Sequence, residues 1–260
     1  MPWRLLDSLL APAPDPARVR WLNGVEYAHR GLHGGSITEN SLPAFEAAMA
    51  RGMGIECDVQ RTADDRAIVY HDRELDRLTG QSGPVQGRTA AELSQIALGR
   101  GGDTIPTMRE VLDCVGGRVP LLIEVKSRHD SRVAPLCLAV RRDLEGYVGH
   151  LAVMSFDPRI GAWFRHHAPR TLRGLVMTEE GARTLSARVR RHRWLWHAKP
   201  DFLAYDVRDL PSRFAAAQRR RGLPVLTWTV RSPALRERAA SHADSPIVEG
   251  EGVAQSRKNL

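Results

Sequence analysis

Residues 120–157, PLLIEVKSRHDSRVAPLCLAVRRDLEGYVGHLAVMSFD, decide the fold of this chain. Two short apolar runs, PLLIEVK (120–126) and HLAVMSFD (150–157), flank a helix-like segment, SRVAPLCLAVRRDL (131–144). The order strand, helix, strand predicts a crossover between two parallel strands. Both apolar runs end in charged residues, and the carboxyl ends of parallel strands lie on the same edge of a sheet.

Similar apolar runs recur along the chain, and most are separated by helix-like segments. They are VEYAHR (25–30), GIECDV (54–59), AIVYHD (67–72), RGLVMT (173–178), FLAYD (202–206), LPVLTWTV (223–230) and PIVEG (246–250). About eight such units in roughly 250 residues predict a (β/α)8 barrel of the TIM type. An open doubly wound sheet is the competing fold, but no GxGxxG follows the first run.

Two irregularities interrupt the pattern. QRTADDR (60–66), between the second and third runs, is too short for a helical crossover, so the usual unit is compressed or broken there. Residues 73–106 form a long insertion after the third strand, in which Thr89 and Glu92 have the spacing of a capping box. We expect one barrel domain over residues 1–260, with this insertion as a small subdomain on one rim.

The chain is basic, with a formal net charge of +8 and a pI near 10.1. Much of the charge lies in arginine runs such as RVRRHRW (188–194) and RRRG (219–222). Such runs usually form a solvated helix face, and the alternative is attraction to phosphate-bearing partners or anionic lipid. Because no nucleic-acid-binding motif accompanies the charge, we expect no nucleic-acid partner.

Other segments bear on the compartment. The three cysteines lie far apart and suggest reduced, buried thiols, and neither a signal peptide nor a run of ~18 apolar residues is found. These features predict a cytoplasmic protein. WRLLDSLL (3–10) predicts a short amphipathic helix that docks on its own barrel, with weak peripheral membrane contact as the alternative.

Charged and titratable residues concentrate at the ends of four runs. They are His29-Arg30, Glu56-Cys57-Asp58, His71-Asp72 and Glu124-Val125-Lys126. In a barrel these ends form the active-site rim. Carboxylates favour Ca²⁺ or Mg²⁺, two histidines can act as acid and base, and cationic side chains can neutralise an anionic substrate. The pattern indicates metal-assisted cleavage of a phosphate ester.

The same residues belong to a longer series of short motifs that spans nearly the whole chain. The series is HRG (29–31), EN (39–40), AF (44–45), ECDV (56–59), TAD (62–64), VYHD (69–72), TG (79–80), IPT (105–107), IEVK (123–126), SF (155–156) and TWTV (227–230). Each motif alone is weak. Together and in this order they resemble the glycerophosphodiester phosphodiesterase family.

The resemblance implies a TIM barrel of the phospholipase C-like phosphodiesterase type, which cleaves a glycerol-linked phosphodiester to sn-glycerol 3-phosphate and an alcohol. By this resemblance one divalent cation, Ca²⁺ or Mg²⁺, is held by Glu56, Asp58 and Glu124. It also makes His29 and His71 the acid/base pair, Arg30 and Lys126 the phosphate ligands, and Phe156 and Trp228 the apolar side of the pocket. For the two aromatic residues, barrel packing is the competing role.

Two neighbours of these residues have supporting roles in this interpretation. Glu39 and Asn40 are expected to support the site and to start the first helix, whereas His33 is expected to lie in a flexible loop without a chemical role. The chain departs from the family pattern at HADSPIVEGEG (242–252), where Glu249 only approximates the usual acidic position. This departure affects the substrate pocket more than the metal site.

Two other functions compete with this one. A lysophospholipase D-type enzyme would release the head group of a lysophospholipid, and an idle barrel would bind phosphorylated ligands without turnover. The sequence leaves open the alcohol group, the choice between Ca²⁺ and Mg²⁺, the order of the two histidines and the oligomeric state.

Overall fold

Strands and helices alternate along most of the chain in the computed structural model, which describes residues 2–99, 101–127, 132–180 and 184–254. The strands are β1 (Tyr27–Ala28), β2 (Gly54–Arg61), β3 (Ala67–Val69), β4 (Ala97–Leu98), β5 (Asp103–Thr104), β6 (Leu121–Val125), β7 (Leu151–Ser155), β8 (Leu172–Met177), β9 (Phe202–Asp206), β10 (Val225–Val230) and β11 (Ser245–Val248). The α-helices are α1 (Pro2–Leu10), α2 (Pro16–Val19), α3 (Leu42–Ala50), α4 (Ala90–Leu93), α5 (Met108–Val115), α6 (Ala134–Leu144), α7 (Pro158–His167), α8 (Leu185–Ala198), α9 (Arg213–Arg219) and α10 (Pro233–His242).

Eight parallel strands close into a barrel. Around the ring they follow the order β1, β2, β6, β7, β8, β9, β10 and β11. Closure depends on β1, in which Tyr27 lies beside Gly54 of β2 on one side and Ile247 of β11 on the other. The predicted (β/α)8 barrel is therefore confirmed. Helix α6, predicted over residues 131–144, begins at Ala134, and Ser131 lies outside the described residues.

Alternation along the strands decides which side chains reach the lumen. The outward-facing residues of β2 and β6 are Ile55, Cys57, Val59, Leu121, Ile123 and Val125, which share a core with α3, α5 and α6. Because successive side chains point to opposite faces, Glu56, Asp58 and Glu124 face inward. Leu122, on the same face of β6 as Glu124, packs with other buried residues of the barrel interior, such as Tyr27. The carboxylates therefore stand above a closed apolar interior.

The run AIVYHD forms β3, but this strand is antiparallel to β2 and stands outside the ring. Val59 pairs with Val69 and Arg61 pairs with Ala67. The short segment that follows β2 is thus a hairpin, which explains the predicted break in the barrel pattern. Because β2 extends past the rim before the chain turns, β3 returns to it, and the amide of Tyr70 donates to the carbonyl of Asp58 at 3.0 Å.

The described part of residues 73–106, which excludes Arg100, contains α4, β4 and β5. Thr89 and Glu92 form the predicted capping box at the start of α4. A separate apolar cluster supports the segment: Ile68, Tyr70, Leu75, Val85, Leu93, Ile96, Leu98 and Ile105. Arg77 reaches the loop between β1 and α3, where it donates to both carboxylate oxygens of Glu39 at 2.8 and 3.1 Å. The insertion therefore contacts the rim.

Two further features concern compartment and packing. No helix within the described ranges combines the length and the apolarity that a bilayer crossing requires. Cys57 and Cys137 are buried free thiols, as predicted, whereas Cys114 is only partly buried. The Cys114 prediction was wrong because the residue lies in the last turn of α5, away from the face that α5 buries through Met108, Val111, Leu112 and Val115.

Candidate active site

Three buried carboxylates form the centre of the rim. Glu56 and Asp58 lie two residues apart on β2, and Asp58 is in register with Glu124 on β6. One oxygen from each carboxylate lies within 4.8 Å of the others. Burial, together with repulsion from Asp58 and Glu124, raises the pKa of Glu56 well above its ordinary value. The cluster therefore favours added positive charge.

Two cationic side chains supply part of that charge. Lys126 Nζ lies 2.9 Å from Asp58 Oδ1 and 2.6 Å from Glu124 Oε1, while Arg30 Nε lies 3.1 Å from Asp58 Oδ2. Burial opposes ionisation of Asp58, but Lys126 and Arg30 outweigh it and hold the pKa of Asp58 below its ordinary value. Both cations face the same cluster, so an anion placed above it would meet both of them.

The carboxylate cluster fits a hard divalent cation. Its donors are all oxygens, which is the set that Ca²⁺ and Mg²⁺ prefer. Glu124 Oε1 is buried, and Lys126 Nζ lies 2.6 Å from it. Glu56, Asp58 and Glu124 therefore match the predicted metal-binding set.

His71 lies beside this cluster at the end of β3. Its Nδ1 is 2.6 Å from Asp72 Oδ1, and Arg77 Nε in turn hydrogen-bonds Asp72 Oδ2. The Asp72 contact fixes the ring and leaves Nε2 free to face the site. Burial lowers the pKa of His71 below its ordinary value of 6.5; Asp58 opposes this shift, and Lys126 and Arg30 reinforce it. The ring is therefore neutral at pH 7.

His29 lies on the other side of the cluster, at the end of β1. Its Nδ1 is 2.7 Å from Glu249 Oε2, and its Nε2 is 4.0 Å from Glu56 Oε2. The hydrogen bond with His29 is the main reason that the pKa of Glu249 falls to about 2, and Arg231 contributes a second bond. Each histidine thus has its Nδ1 held by an ionised carboxylate, with Nε2 left for chemistry.

The loop after β1 is shaped by left-handed backbone. Arg30 and Gly31 have φ values of 55° and 78°. A Cβ on Gly31 would lie 2.8 Å from the carbonyl carbon of Ala44, so only glycine fits beside α3 there. The turn directs the amide of Arg30 to Glu56 Oε2 at 3.1 Å and its guanidinium to Glu39 Oε1 at 2.7 Å.

Asn40 holds one of the two most buried carboxylates of the cluster, Asp58. Its Nδ2 donates to Asp58 Oδ2 at 3.0 Å, and the amide of Asp58 donates to Asn40 Oδ1 at 3.2 Å. Asn40 adopts φ 55°, which asparagine tolerates better than most residues. The expectation that Asn40 starts the first helix was wrong, because the hydroxyl of Ser41 accepts from the amide of Ala44 and caps α3.

Phe156 and Trp228 come together on the opposite side of the barrel. Their ring centroids are 5.4 Å apart with an interplanar angle of 80°, an edge-to-face pair. Trp228 Nε1 donates to the carbonyl of Ala204 at 2.9 Å, which fixes its ring against the barrel. Phe156 is 36% exposed, so part of its ring remains accessible to a ligand. Phe156 therefore packs against Trp228 and also keeps part of its ring accessible.

A cavity of about 530 Å³ opens beside the cations and His71. Its lining includes His71, Lys126, Gln60, Arg73 and Ser127, and the insertion supplies much of one wall. Such a volume lies within the range of small-molecule sites. It reaches the site at Lys126 and His71, and its wall also includes the acidic residues Asp72, Glu74 and Asp76.

Sequence reasoning underestimated two residues. Glu249 contacts His29 because barrel closure sets Ala28 beside Val248, so that the next residue of each strand lies side by side. The register at which β1 and β11 close the barrel is the signal that could have identified this pair. His33 was expected to have no chemical role, yet it lies within metal-ligand range of His29 and Glu249, and its Nε2 is buried without a partner. No signal in the sequence pointed to that placement.

Comparisons with known proteins identify the family to which the chain is similar. A family model described as the glycerophosphoryl diester phosphodiesterase family matches residues 29–248. A glycerophosphodiester phosphodiesterase from Bacillus altitudinis is 38% identical over 110 residues, which are 40% of this chain and 44% of that protein. The match thus spans less than half the length of this curated relative. The Mycobacterium tuberculosis protein named "Probable glycerophosphodiester phosphodiesterase 2" is 30% identical over 83% of this chain and 76% of its own length.

Solved structures share the fold. The glycerophosphodiester phosphodiesterase of Thermotoga maritima superimposes with a TM-score of 0.69 at 25% identity, covering 86% of this chain and 94% of its own. An Oleispira antarctica phosphodiesterase, solved in complex with the product sn-glycerol-3-phosphate, gives a TM-score of 0.76 at 22% identity, with 87% and 93% of the two chains covered.

Proposed function

Because the chain belongs to the glycerophosphoryl diester phosphodiesterase family, we propose that it hydrolyses glycerophosphodiesters to sn-glycerol 3-phosphate and an alcohol. One observation supports this above all: three buried carboxylates lie between two histidine–carboxylate pairs at one barrel rim. The Oleispira phosphodiesterase has the same fold and binds the product that this reaction would release.

The phosphate of the substrate binds on the cationic side of the cluster. Arg30 and Lys126 both contact Asp58, and each retains donor groups for phosphate oxygens. Lys126 is charged throughout the working pH range, because Glu124 and Asp58 raise its pKa although burial opposes this. These two residues neutralise the charge of the diester before any bond breaks.

Glu56, Asp58 and Glu124 would hold one divalent cation, Ca²⁺ or Mg²⁺, since one oxygen of each lies within 4.8 Å of the others. When bound, such a cation acts as a Lewis acid that polarises a phosphoryl oxygen. Asn40 serves as a positioning residue here, because its amide fixes one oxygen of Asp58 and leaves the other to face Lys126. Arg30 and Lys126 remain close enough to share the charge that develops on the phosphate.

Two protons move in the reaction. The nucleophile is a water, or a neighbouring glycerol hydroxyl whose attack gives a cyclic phosphate that a water then opens. It loses a proton to the Nε2 of one histidine as its oxygen bonds to phosphorus. The bond from phosphorus to the alcohol oxygen breaks, and the other histidine donates a proton to that oxygen. Glu249 and Asp72 keep the two rings oriented through Nδ1, so each Nε2 can exchange a proton without loss of alignment.

Turnover of soluble glycerophosphocholine by the full chain tests this function. We expect release of glycerol 3-phosphate with Ca²⁺ or Mg²⁺ and none with EDTA, and restoration when the cation is returned. The variant Asp58→Asn should remain inactive with either cation. If no phosphodiester is cleaved with either cation, the idle phosphate-binding barrel becomes the better description.

One observation favours the lysophospholipase D reaction as the second candidate. Phe156 is partly exposed beside Trp228 and offers an apolar surface that a fatty acyl chain can cover. Parallel assays on glycerophosphocholine and lysophosphatidylcholine separate the two functions. A higher kcat/KM for the lysolipid, lost in Phe156→Ala, would establish the second candidate.

A further inference from the structure

Helix α1 is amphipathic, but its charged residue faces the protein and its leucines face the solvent. The charged residue Asp7 is 1% exposed, whereas Leu5 and Leu9 are 79% and 77% exposed. Leu6 and Leu10 are also exposed, at 39% and 36%. A helix that merely completes a barrel turns its leucines toward the protein. In α1 the leucines cover two successive turns of the outer surface.

A polar anchor fixes this orientation. Asp7 Oδ1 lies 2.8 Å from His192 Nδ1 and accepts from Trp196 Nε1 at 2.8 Å. Asp7 Oδ2 accepts from Gln218 Nε2 at 2.8 Å, and Trp3 stacks on His192 with centroids 4.6 Å apart. Rolling α1 to bury its leucines would break all of these contacts and expose a paired carboxylate. The outward leucines are therefore a built feature of the fold.

The surface around α1 is positively charged. Helices α8 and α9, on which α1 rests, contain no aspartate or glutamate, and Asp7, the one carboxylate of α1, is buried. Exposed arginines lie on and beside these three helices: Arg4, Arg188, Arg190, Arg193, Arg213, Arg219 and Arg220. The exposed leucines of α1 therefore lie beside two helices whose charged side chains are all basic, although Arg219 is paired with Asp244.

We propose that the leucine face of α1 and the arginines of α8 and α9 form a docking surface for anionic membrane lipid. Apolar side chains that can enter the headgroup region, ringed by basic residues, are the combination that binds such interfaces. A second copy of the chain is disfavoured as occupant, because pairing the two leucine faces would bring two arginine-rich surfaces together. This inference does not depend on the proposed phosphodiesterase activity.

Vesicle sedimentation of the full chain tests the proposal. We expect binding to vesicles of equimolar phosphatidylcholine and phosphatidylglycerol, weak binding to phosphatidylcholine alone, and loss of binding in high salt. The double variant Leu5→Ser/Leu9→Ser should bind anionic vesicles at least about tenfold less well. Leu138→Ser/Val148→Ser is the matched control, since both side chains are exposed but lie elsewhere, and it should bind like the wild type.

Hydrolysis of soluble glycerophosphocholine and the melting temperature are measured in the same variants. Neither should change in Leu5→Ser/Leu9→Ser, because both leucines are on the surface. Equal loss of binding in the control pair, or no binding of the wild type to anionic vesicles, would overturn the proposal. A dimer of the wild type that disappears in Leu5→Ser/Leu9→Ser would also overturn it. Vesicle binding without any hydrolysis would contradict the proposed function alone.

Discussion

Acidic residues lie at or near the carboxyl ends of strands on both sides of the barrel, but their side chains have different partners. Glu56, Asp58 and Glu124 lie within β2 and β6 and meet at the site. Asp157 and Asp206 end the runs of β7 and β9 and are equally buried, at 4% and 1% exposure. Each of the latter caps the following helical turn and accepts two or more bonds from the arginine two residues later. Burial alone therefore does not identify a functional carboxylate.

Position relative to the strand explains the difference. A carboxylate inside the strand on the lumen face has no amide of a following helix within reach. It depends instead on cationic side chains at the rim, such as Lys126 for Asp58 and Glu124. A carboxylate at the last residue of the strand, such as Asp206, or two residues beyond it, such as Asp157, meets the first amides of the next helical turn and is satisfied locally. Glu124, whose Oε1 is paired with Lys126 Nζ at 2.6 Å, belongs to the first kind. Asp206, whose two oxygens are both bonded by Arg208, belongs to the second.

The sharpest test replaces one member of each kind by its amide. Asp58→Asn should lower kcat/KM by about 10⁴-fold, because it removes a proposed cation ligand and the partner of the two proposed phosphate ligands, Arg30 and Lys126. Asp206→Asn should leave kcat/KM within about threefold and lower the free energy of unfolding by about 1 kcal/mol, since Arg208 is largely exposed. Steady-state kinetics and urea unfolding measure both. The distinction between the two kinds fails if Asp206→Asn loses activity to the same degree.

The histidines give the next largest effect. His71→Ala should lower kcat/KM by about 10² to 10³-fold. If His71 is the base, wild-type kcat/KM falls as the pH drops through its lowered pKa, below 6.5, because the protonated ring cannot accept a proton. A bound divalent cation shifts this limb further in the same direction.

The pH profile of kcat/KM decides the role of each ring. We expect the acid limb to be missing in His71→Ala and retained in the control His197→Ala, whose ring is exposed on α8. Loss of the alkaline limb instead would make His71 the acid and His29 the base. Unchanged turnover would remove His71 from the reaction.

Glu249 breaks the simple rule. It stands one residue beyond β11 and precedes the 3-10 turn Gly250–Gly252, yet its side chain makes no capping bond. It holds His29 instead. Glu249→Gln should lower kcat/KM by about 10- to 100-fold, because the amide still reaches His29 but no longer stabilises a charged ring.

The neighbouring carboxylate of the same turn provides the control for this prediction. Glu251 is exposed, so Glu251→Gln should behave like the wild type. A structural role of Glu249 would lower the melting temperature without altering the pH profile, whereas a positioning role moves the profile. Equal activity of the two variants would assign Glu249 to the surface.

The sequence was sufficient for the fold and for the central carboxylates. The spacing Glu56-x-Asp58 places both side chains on one face of a strand, and barrel closure brings β6 beside β2. The shortness of residues 60–66 predicted only that the barrel unit was compressed or broken there, and AIVYHD was still counted among the barrel strands. In the structure β3 is antiparallel to β2, and this hairpin is what brings His71 back to the rim. His71 was predicted to lie at the rim because it was expected to follow a parallel barrel strand, whereas it lies there because it follows an antiparallel strand outside the ring.

The supporting contacts were beyond the reach of sequence patterns. Asn40 binds Asp58 only because two left-handed turns, at Arg30 and at Asn40 itself, bend the first loop over β2. Loop geometry of this kind depends on long-range contacts such as that between Gly31 and Ala44. Asn40 was therefore predicted to start a helix, which is the commonest local role of asparagine in that position.

The smallest effect tests the side of the barrel that carries the capping aspartates. Phe156 directly precedes Asp157, so the same strand end supplies a local cap and an apolar group for the pocket. If the ring contacts substrate, Phe156→Ala should raise KM about fivefold for a substrate with an apolar alcohol and leave kcat unchanged, because the contact is equal in ground and transition states. Leu185→Ala, an exposed leucine at the start of α8, is the control. If Phe156 only packs against Trp228, KM stays constant and the melting temperature falls instead. Because its ring is 36% exposed, we expect the KM effect to dominate.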